Sequence, residues 1–569
     1  MPGTAVSALL ALLLAAEGPA DAVPGTERAA GGAAVPGTER APRCTAFDLA
    51  LAGLGSAEED LARVAGLAGS APLWPGLIRR PSGARPLWLC DGPAPERQAI
   101  ADPVPLPEVR WELVPPTSFT KLHTGWADDR NDGALWSGRG LSTEVAAGAR
   151  VRWRWFTAQL APLAAWQQNR GWGVPAGTLP GFSPYANPFN PGAIDLPMRM
   201  GPGAFWTLDW GQSYLRAEAW NLAAGLSHEN LWWGPGIRNA LLMSDSAPGF
   251  PHFFVGTARP LDVWIGWLEA ELLWGQVSNS RYFDLALGPR RNLFEAAVLT
   301  FEPAFARGLT LGTARVFVFP GTSVAPHHYL DPLTEALFKV FLKSGADDGS
   351  RPDNQLLSLF FRWAFPAVQL EIYGEWGRDD HAFNLTDFLM EPGHSQAWLL
   401  GMQKLFPAGR RWVRFQAELA HTFEMPPDHP TRPTPVFYTH GTNGYTHGGQ
   451  MIGAGLGPQG DTQFAALDCF TGLGSFGFYL ERVVRNERWF YDVVVPAGGN
   501  RHDLELTAGL RGALAWREWD LEWDLGGSHR FAPNFERPQG GLDAMVRLRW
   551  WPGRPEAPIL PVRGGASPP

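Results

Sequence analysis

Short stretches in which every second side chain is apolar and those between are ionised recur along most of this chain, and this alternation limits the fold more than any other feature. Val151, Trp153 and Trp155 alternate with Arg150, Arg152 and Arg154. Val368, Leu370, Ile372 and Trp376 oppose Gln369, Glu371 and Glu375. The pattern returns in Val413, Phe415, Ala417 and Leu419 against Arg414, Gln416 and Glu418, and in Trp519, Leu521, Trp523 and Leu525 against Glu518, Asp520, Glu522 and Asp524. Successive side chains of a strand point to opposite faces, so each stretch reads as a strand with one greasy and one ionised face. A soluble β-sandwich also alternates, but its polar face is mixed and its turns fall every ~8–12 residues.

Here the stretches run to about ten residues, the apolar face is rich in rings, and many connections are long. The pattern predicts an all-β fold, a transmembrane antiparallel outer-membrane β-barrel with apolar side chains to lipid and polar ones to the lumen. Composition agrees: 18% of residues are charged and 27 are Trp, against ~25% charged in an ordinary soluble domain. The chain has 569 residues, more than the ~250–300 at which one solid core stops growing. Allowing ~25 residues per strand and connection over ~440 residues gives roughly 18 strands, an even number as such barrels usually have. Trp126, Trp136, Trp232, Trp233, Trp550 and Trp551 are placed by this reading in interfacial girdles. A net charge of −9 excludes nucleic acid as a partner, because phosphate binding needs a concentrated basic face.

Residues 1–22 read as a signal peptide. Val6 to Ala16 is nearly all apolar and Ala20-Asp21-Ala22 offers a cleavage site, although Met1 to Thr4 has no basic residue. Residues 23–43 form an Ala/Gly/Pro linker in which Val-Pro-Gly-Thr-Glu-Arg occurs twice. Residues 44–107 read as a small helical periplasmic or plug domain. Its helix opens at a Ser56/Glu59 capping box and carries Leu61, Val64, Ala65 and Ala68 on one face. Cys44 and Cys90 form either a disulfide or two free thiols, and Cys469 has no evident partner. The barrel is expected over 108–551, followed by a Pro/Gly-rich tail at 552–569.

Three clusters dense in Gly, Trp and polar groups interrupt the alternation. They are Asn131-Asp132-Gly133-Ala134-Leu135-Trp136, Glu229-Asn230-Leu231-Trp232-Trp233-Gly234-Pro235-Gly236, and Gly444-Tyr445-Thr446-His447-Gly448-Gly449-Gln450. In type and order they resemble the Wzi family of outer-membrane capsule-assembly proteins, with Gly448 standing where that family often has a basic residue. The resemblance implies a large plugged barrel that binds capsular or related exopolysaccharide at the cell surface, as a lectin does. The residue types suit a glycan independently, since sugars stack their C–H faces on rings while polar groups take the hydroxyls. Trp136, Trp232, Trp233 and Tyr445 are the candidate stacking rings. Asn131, Asp132, Arg139, Glu229, Arg238, His440, His447 and Gln450 are the candidate polar contacts, and Arg139 and Arg238 suit uronic-acid carboxylates. The competing structural reading makes the Trp pair an anchor at a turn and lets the Asp and Arg residues pin the barrel from inside.

No Gly-x-Ser-x-Gly, Walker A or His-Glu-x-x-His pattern occurs, so nucleophile-elbow, nucleotide and zincin chemistry lack their marks. Asp379-Asp380 is the sort of carboxylate pair that abounds as plain charge. The expectation is therefore a non-enzymatic monomer without cofactor or metal. Its partners are polysaccharide, outer-membrane lipid and the polysaccharide export machinery. A porin or glycan-uptake channel is the alternative.

Overall fold

A computed structural model describes residues 54–69, 76–79, 106–173, 180–189, 192–283, 290–321, 354–379, 385–409, 411–423, 436–440, 444–471 and 474–552. The expected signal peptide, the duplicated linker, Cys44, Cys90, Asp380 and residues 553–569 lie outside these residues.

The alternating stretches form a closed antiparallel barrel of 18 strands. In chain order these are β1 (Leu106–His123), β2 (Gly140–Arg154), β3 (Phe156–Leu160 and Leu163–Gln167), β4 (Phe205–Asp209 and Tyr214–Ala219), β5 (Leu222–Ser227) and β6 (His252–Thr257 and Leu261–Asp262). There follow β7 (Gly266–Ser278), β8 (Arg291–Pro303), β9 (Leu309–Pro320), β10 (Asn354–Phe365), β11 (Leu370–Asp379) and β12 (Gln396–Ala408). The last are β13 (Arg411–His421), β14 (Asp461–Phe470), β15 (Gly474–Arg485), β16 (Asp503–Trp516), β17 (Trp519–Arg530) and β18 (Gln539–Trp550). Each strand pairs with the next, and β18 pairs with β1 from Thr117↔Arg549 to His123↔Asp543, which leaves no free edge.

Because the strand number is even, both ends of the barrel chain emerge on one side, where the connections are tight. At Trp220–Asn221 the β4–β5 hairpin turns with both residues at positive φ (51° and 63°), the geometry that matches strand twist in a two-residue turn. The opposite end carries the long connections. The predicted facing holds: Arg150, Arg414, Glu371, Glu418 and Glu522 are buried in the lumen, while Trp153, Leu419, Trp519 and Leu525 face outward. Trp155, Trp220, Trp264, Phe305, Trp516 and Trp519 form an exposed aromatic ring at the tight-turn end, as expected at a lipid interface. The girdle assignment fails for Trp126, Trp136, Trp232 and Trp233. These are 3%, 6%, 1% and 0% exposed, because they sit on segments folded into the lumen and not on strand ends. Trp550 does belong to the rim and stacks on Trp519 at 6.3 Å.

Inside, the wall is not uniformly polar. Phe294, Ala296 and Val298 of β8, with Ala314, Val316 and Val318 of β9, point inward and join Trp233, Leu241, Leu242, Tyr438 and Tyr445 in one dry core. Loops cross the lumen here, and water is replaced by packed side chains.

The helix α1 (Ala57–Leu67) closes the tight-turn end from within. Ser56 Oγ accepts from Glu59 N–H at 3.2 Å, as the capping box requires. Leu61, Val64, Ala65 and Leu67 pack on Ala364, Leu405, Trp412 and Phe470 of the surrounding strands. Asp60 pairs with Arg414 of β13. Arg63 donates to Glu371 of β11 at 2.7 Å, an acceptor that Arg362 shares at 2.6 Å.

Candidate functional site

The three motifs are far apart in sequence but form one knot in the lumen. Asn131 Nδ2 donates to the Arg238 carbonyl at 2.7 Å, and Ser246 Oγ donates to Asn131 Oδ1 at 3.1 Å. Gln450 Nε2 donates to the Gly133 carbonyl at 3.1 Å. Tyr445 and Tyr438 donate their hydroxyls to the carbonyls of Leu242 (2.8 Å) and Leu241 (2.6 Å). Burial pushes both phenols well above their ordinary range, so they remain donors at any pH of interest. Asp379 accepts from Tyr438 N–H at 2.7 Å, so one member of the suspected carboxylate pair is a loop clamp.

Trp232 and Trp233 hold the segment Ile78–Arg79 that follows α1 in the chain. They pair as a short antiparallel ladder with Arg79 and Ile78, and the Arg79 guanidinium lies 4.6 Å from the Trp232 ring centre. Arg79 also donates to the Gly236 carbonyl at 2.7 Å, and Arg63 to the Pro235 carbonyl at 2.8 Å. The following turn is wrapped on Glu418 of β13, whose carboxylate accepts from Ile237 N–H (2.7 Å), Arg238 N–H (3.1 Å), Asn239 Nδ2 (3.0 Å) and Tyr373 OH (2.9 Å). Gly234 has φ +114°, and a Cβ there would meet the Glu375 carboxylate at 3.0 Å, which explains the glycine.

The remaining candidates scatter. Glu229 is buried beside Ser227, whose hydroxyl it accepts at 2.9 Å. Arg139 is spent on the carbonyls of Thr124 (2.9 Å) and Gly171 (2.7 Å). His440 donates its backbone N–H to the Ala193 carbonyl at 3.0 Å. His447 accepts at Nδ1 from Ser278 N–H at 3.0 Å, and burial, together with nearby His228, pushes its imidazole down to about 4. As contact residues Trp232, Trp233 and Tyr445 need correcting: at 1%, 0% and 0% exposure they offer no ring face to a polymer. The motif residues are therefore largely the frame of the site.

Among the described residues, two spaces in the barrel adjoin the motifs. The outer one, about 150 Å³, opens among the long connections and is lined by Trp136, Trp172, Phe189, Asn187, Arg485 and Asn486, among others. Trp136 Nε1 is buried there without a protein partner. The inner one, about 240 Å³, lies deeper and includes Asn131, Asp132, Trp232 and Arg238 in its lining. Asp128 and Arg130 line both, so they form the partition between the two. Arg130 binds Asp128 through two contacts of 2.8 Å and Glu481 through two of 3.1 Å, using both edges of its guanidinium. Burial opposes the Asp128 charge, but Arg130 and Arg485 outweigh it and hold that carboxyl below the usual range. Lys121, His123, Asp128, Arg130, Trp172, Asp245, Glu481 and Arg485 were not singled out from sequence. Lys121, His123 and Glu481 do sit at inward positions of the two-residue pattern, a signal that marks lumenal facing but not a site.

The sequence model of the family described as capsule assembly protein Wzi matches residues 129–534. Among solved structures, the barrel is similar to Wzi of Escherichia coli, described as an outer membrane protein involved in group 1 capsule assembly and a carbohydrate-binding β-barrel. The identity is 13%, with 77% of this chain and 84% of that one covered, at a TM-score of 0.49. It is also similar to a BenF-like porin of Pseudomonas fluorescens Pf-5 (10% identity, 78% and 99% covered, TM-score 0.39). A further similar structure is OccK2 (OpdF) of Pseudomonas aeruginosa in complex with glucuronate (10% identity, 78% and 99% covered, TM-score 0.39). Among curated proteins none matches the sequence.

Proposed function

The chain belongs to the Wzi family of capsule assembly proteins, and from that premise we propose that this outer-membrane barrel binds capsular or related exopolysaccharide non-covalently at its long-loop mouth and supports attachment of the polymer to the cell. One observation carries the reading: the outer space combines the partly exposed Trp172 ring with amides and guanidinium groups at the long-loop end of the barrel. The Trp172 ring stacks on a sugar C–H face while the Asn187 and Asn486 side chains take hydroxyls. Arg485 is already committed to Glu505 at 2.7 Å, so it positions the rim more than it seeks a free anion. The act is holding, not turnover, and the partners are the polymer outside and the export apparatus on the plug side, met by a single copy of the chain.

The test is polymer capture by cells that display the protein and by the purified barrel. Trp172→Ala removes a half-exposed ring and should weaken capture roughly tenfold, corresponding to ~1–1.5 kcal/mol for one stacking contact. Unchanged capture by Trp172→Ala would move binding away from this mouth. A steady ion conductance in planar bilayers would favour the channel alternative instead.

A further inference from the structure

From β12 to β15 the lipid-facing side chains change character at one height. Toward the tight-turn end they are apolar and exposed, with Leu400, Leu419, Leu467 and Leu480 on successive strands. Toward the long connections the same faces carry Trp398, His421, Gln463 with Asp461, and Arg482. Register brings these together: Trp398 lies opposite His421, His421 opposite Asp461, and Gln463 opposite Arg482. Arg482 in turn lies opposite Leu506, ten residues before Trp516 of the aromatic ring at the tight-turn end. At ~3.4 Å per residue and a tilt of ~40°, that length of strand rises ~26 Å, the height of the apolar band of such a barrel. Arg482 therefore stands where lipid headgroups begin.

An interface by itself asks only that side chains at this height be polar, whereas these are bonded into one fixed group. Arg482 Nη1 donates to Asp461 and to Gln463, both at 2.6 Å, and Gln463 Nε2 donates to Asp461 at 2.7 Å. His421 Nδ1 lies 3.5 Å from Asp461, and the His421 ring stacks on Trp398 at 5.3 Å. The Asp461 charge is thus met by Arg482 and Gln463. The Arg482 guanidinium is held through one nitrogen only; its Nε–H and Nη2–H edge has no partner among the described residues, on a side chain 40% exposed. That edge is a fork matched to two oxygens of a phosphate. The group reaches across four strands, or ~14 Å at ~4.8 Å per strand gap, a width that a saccharide headgroup covers and a single phosphodiester does not. Toward the tight-turn end, Phe476 and Phe478 offer acyl chains an exposed apolar wall.

We propose that the outward face of β12–β15 at the long-loop end is a docking site for one phosphorylated glycolipid of the outer leaflet. Its phosphate sits on the free edge of Arg482, its saccharide lies across Gln463, His421 and Trp398, and its acyl chains run along Phe476 and Phe478. The site goes beyond polymer binding at the mouth, and it rests on the barrel's place in the outer membrane, not on that reading.

The experiment is native mass spectrometry of the full-length protein in detergent, titrated with diphosphorylated lipid A or with phosphatidylglycerol. One lipid A retained per barrel is expected, with phosphatidylglycerol held at least roughly tenfold more weakly and inorganic phosphate unable to displace the lipid. Arg482→Gln should weaken lipid A retention roughly tenfold, Arg482→Lys, which keeps the charge and loses the fork, by less, and Trp398→Leu severalfold. Heat-modifiable migration shows which variants have formed the barrel, and any one of the three suffices. No retained lipid A, equal retention of phosphatidylglycerol, displacement by inorganic phosphate, or retention unchanged in the folded variants would overturn the proposal. Polymer capture is scored separately through Trp172→Ala. Its failure with lipid A retention intact removes the mouth reading alone, and loss of lipid A retention with capture intact removes the docking site alone.

Discussion

Replacing Glu418 by Gln tests whether the knot of loops, and not only the wall of strands, keeps the lumen shut. The Glu418 side chain is buried at 1% exposure and collects four donors, the N–H groups of Ile237 and Arg238, the Asn239 amide and the Tyr373 hydroxyl. An amide retains one acceptor oxygen and turns a second donor toward groups that are themselves donors. One oxygen takes the Ile237 and Arg238 N–H groups and the Tyr373 hydroxyl while the other takes the Asn239 amide, so at least one bond is lost and the rest pass from a charged to a neutral acceptor, ~3–6 kcal/mol in sum. That is a large part of the ~5–15 kcal/mol that holds a typical protein together, but here it falls on one turn, so the result is local opening and not unfolding. Amide exchange at Ile237 and Arg238 should accelerate by roughly 10²–10⁴ at 1.4 kcal/mol per tenfold, and planar bilayers that are silent with the parent protein should show brief openings. If both amides keep their protection within a factor of about ten and the bilayers stay silent, Glu418 is not the clamp and the turn is held by its other contacts.

Truncating the plug face by Leu61→Ala should cost ~2–4 kcal/mol of docking, visible as faster proteolysis of α1 with the barrel intact; equal cleavage rates would show that the helix is held by its ion pairs alone. Removing one partner of the buried Arg63–Glu371–Arg362 cluster, as in Arg63→Met, should destabilise plug docking by ~3–5 kcal/mol, read by the same assay. His447 has its imidazole pushed down to about 4 by burial and by His228, below its unfolded value of ~6.5. Its contribution is therefore complete above that value and is lost as pH falls through about 4, an effect of ~3 kcal/mol across the window. Exchange at the Ser278 amide should follow that curve, and His447→Gln should flatten it. On the outer face, Leu208→Arg, at a site 81% exposed to lipid, should lower barrel stability by ~2–4 kcal/mol, whereas the same change in plain solvent would be nearly neutral.

The facing of the strands was legible because alternation is a local property: Arg414, Gln416 and Glu418 share a side whatever surrounds them. The opening of α1 was legible for the same reason, since Ser56 and Glu59 meet within one turn. The motifs were legible as motifs but not in their roles. Trp232-Trp233 read equally well as stacking rings, as interfacial anchors or as a latch, because the adjacent residues say nothing about Arg79 and Ile78, which lie more than a hundred positions away.

The chain by itself thus determined that an antiparallel barrel of about 18 strands forms, which side of each strand meets lipid, and where a capped helix begins. Those follow from side-chain period and from contacts between near neighbours. Only the tertiary structure decided that the three motifs knot together, that β8 and β9 present apolar side chains inward, and that Arg130 and Asp128 border both of the spaces beside the motifs. Each of these depends on loops returning across a closed cylinder, so that partners come from distant segments and burial is set by what fills the interior, which no local pattern records.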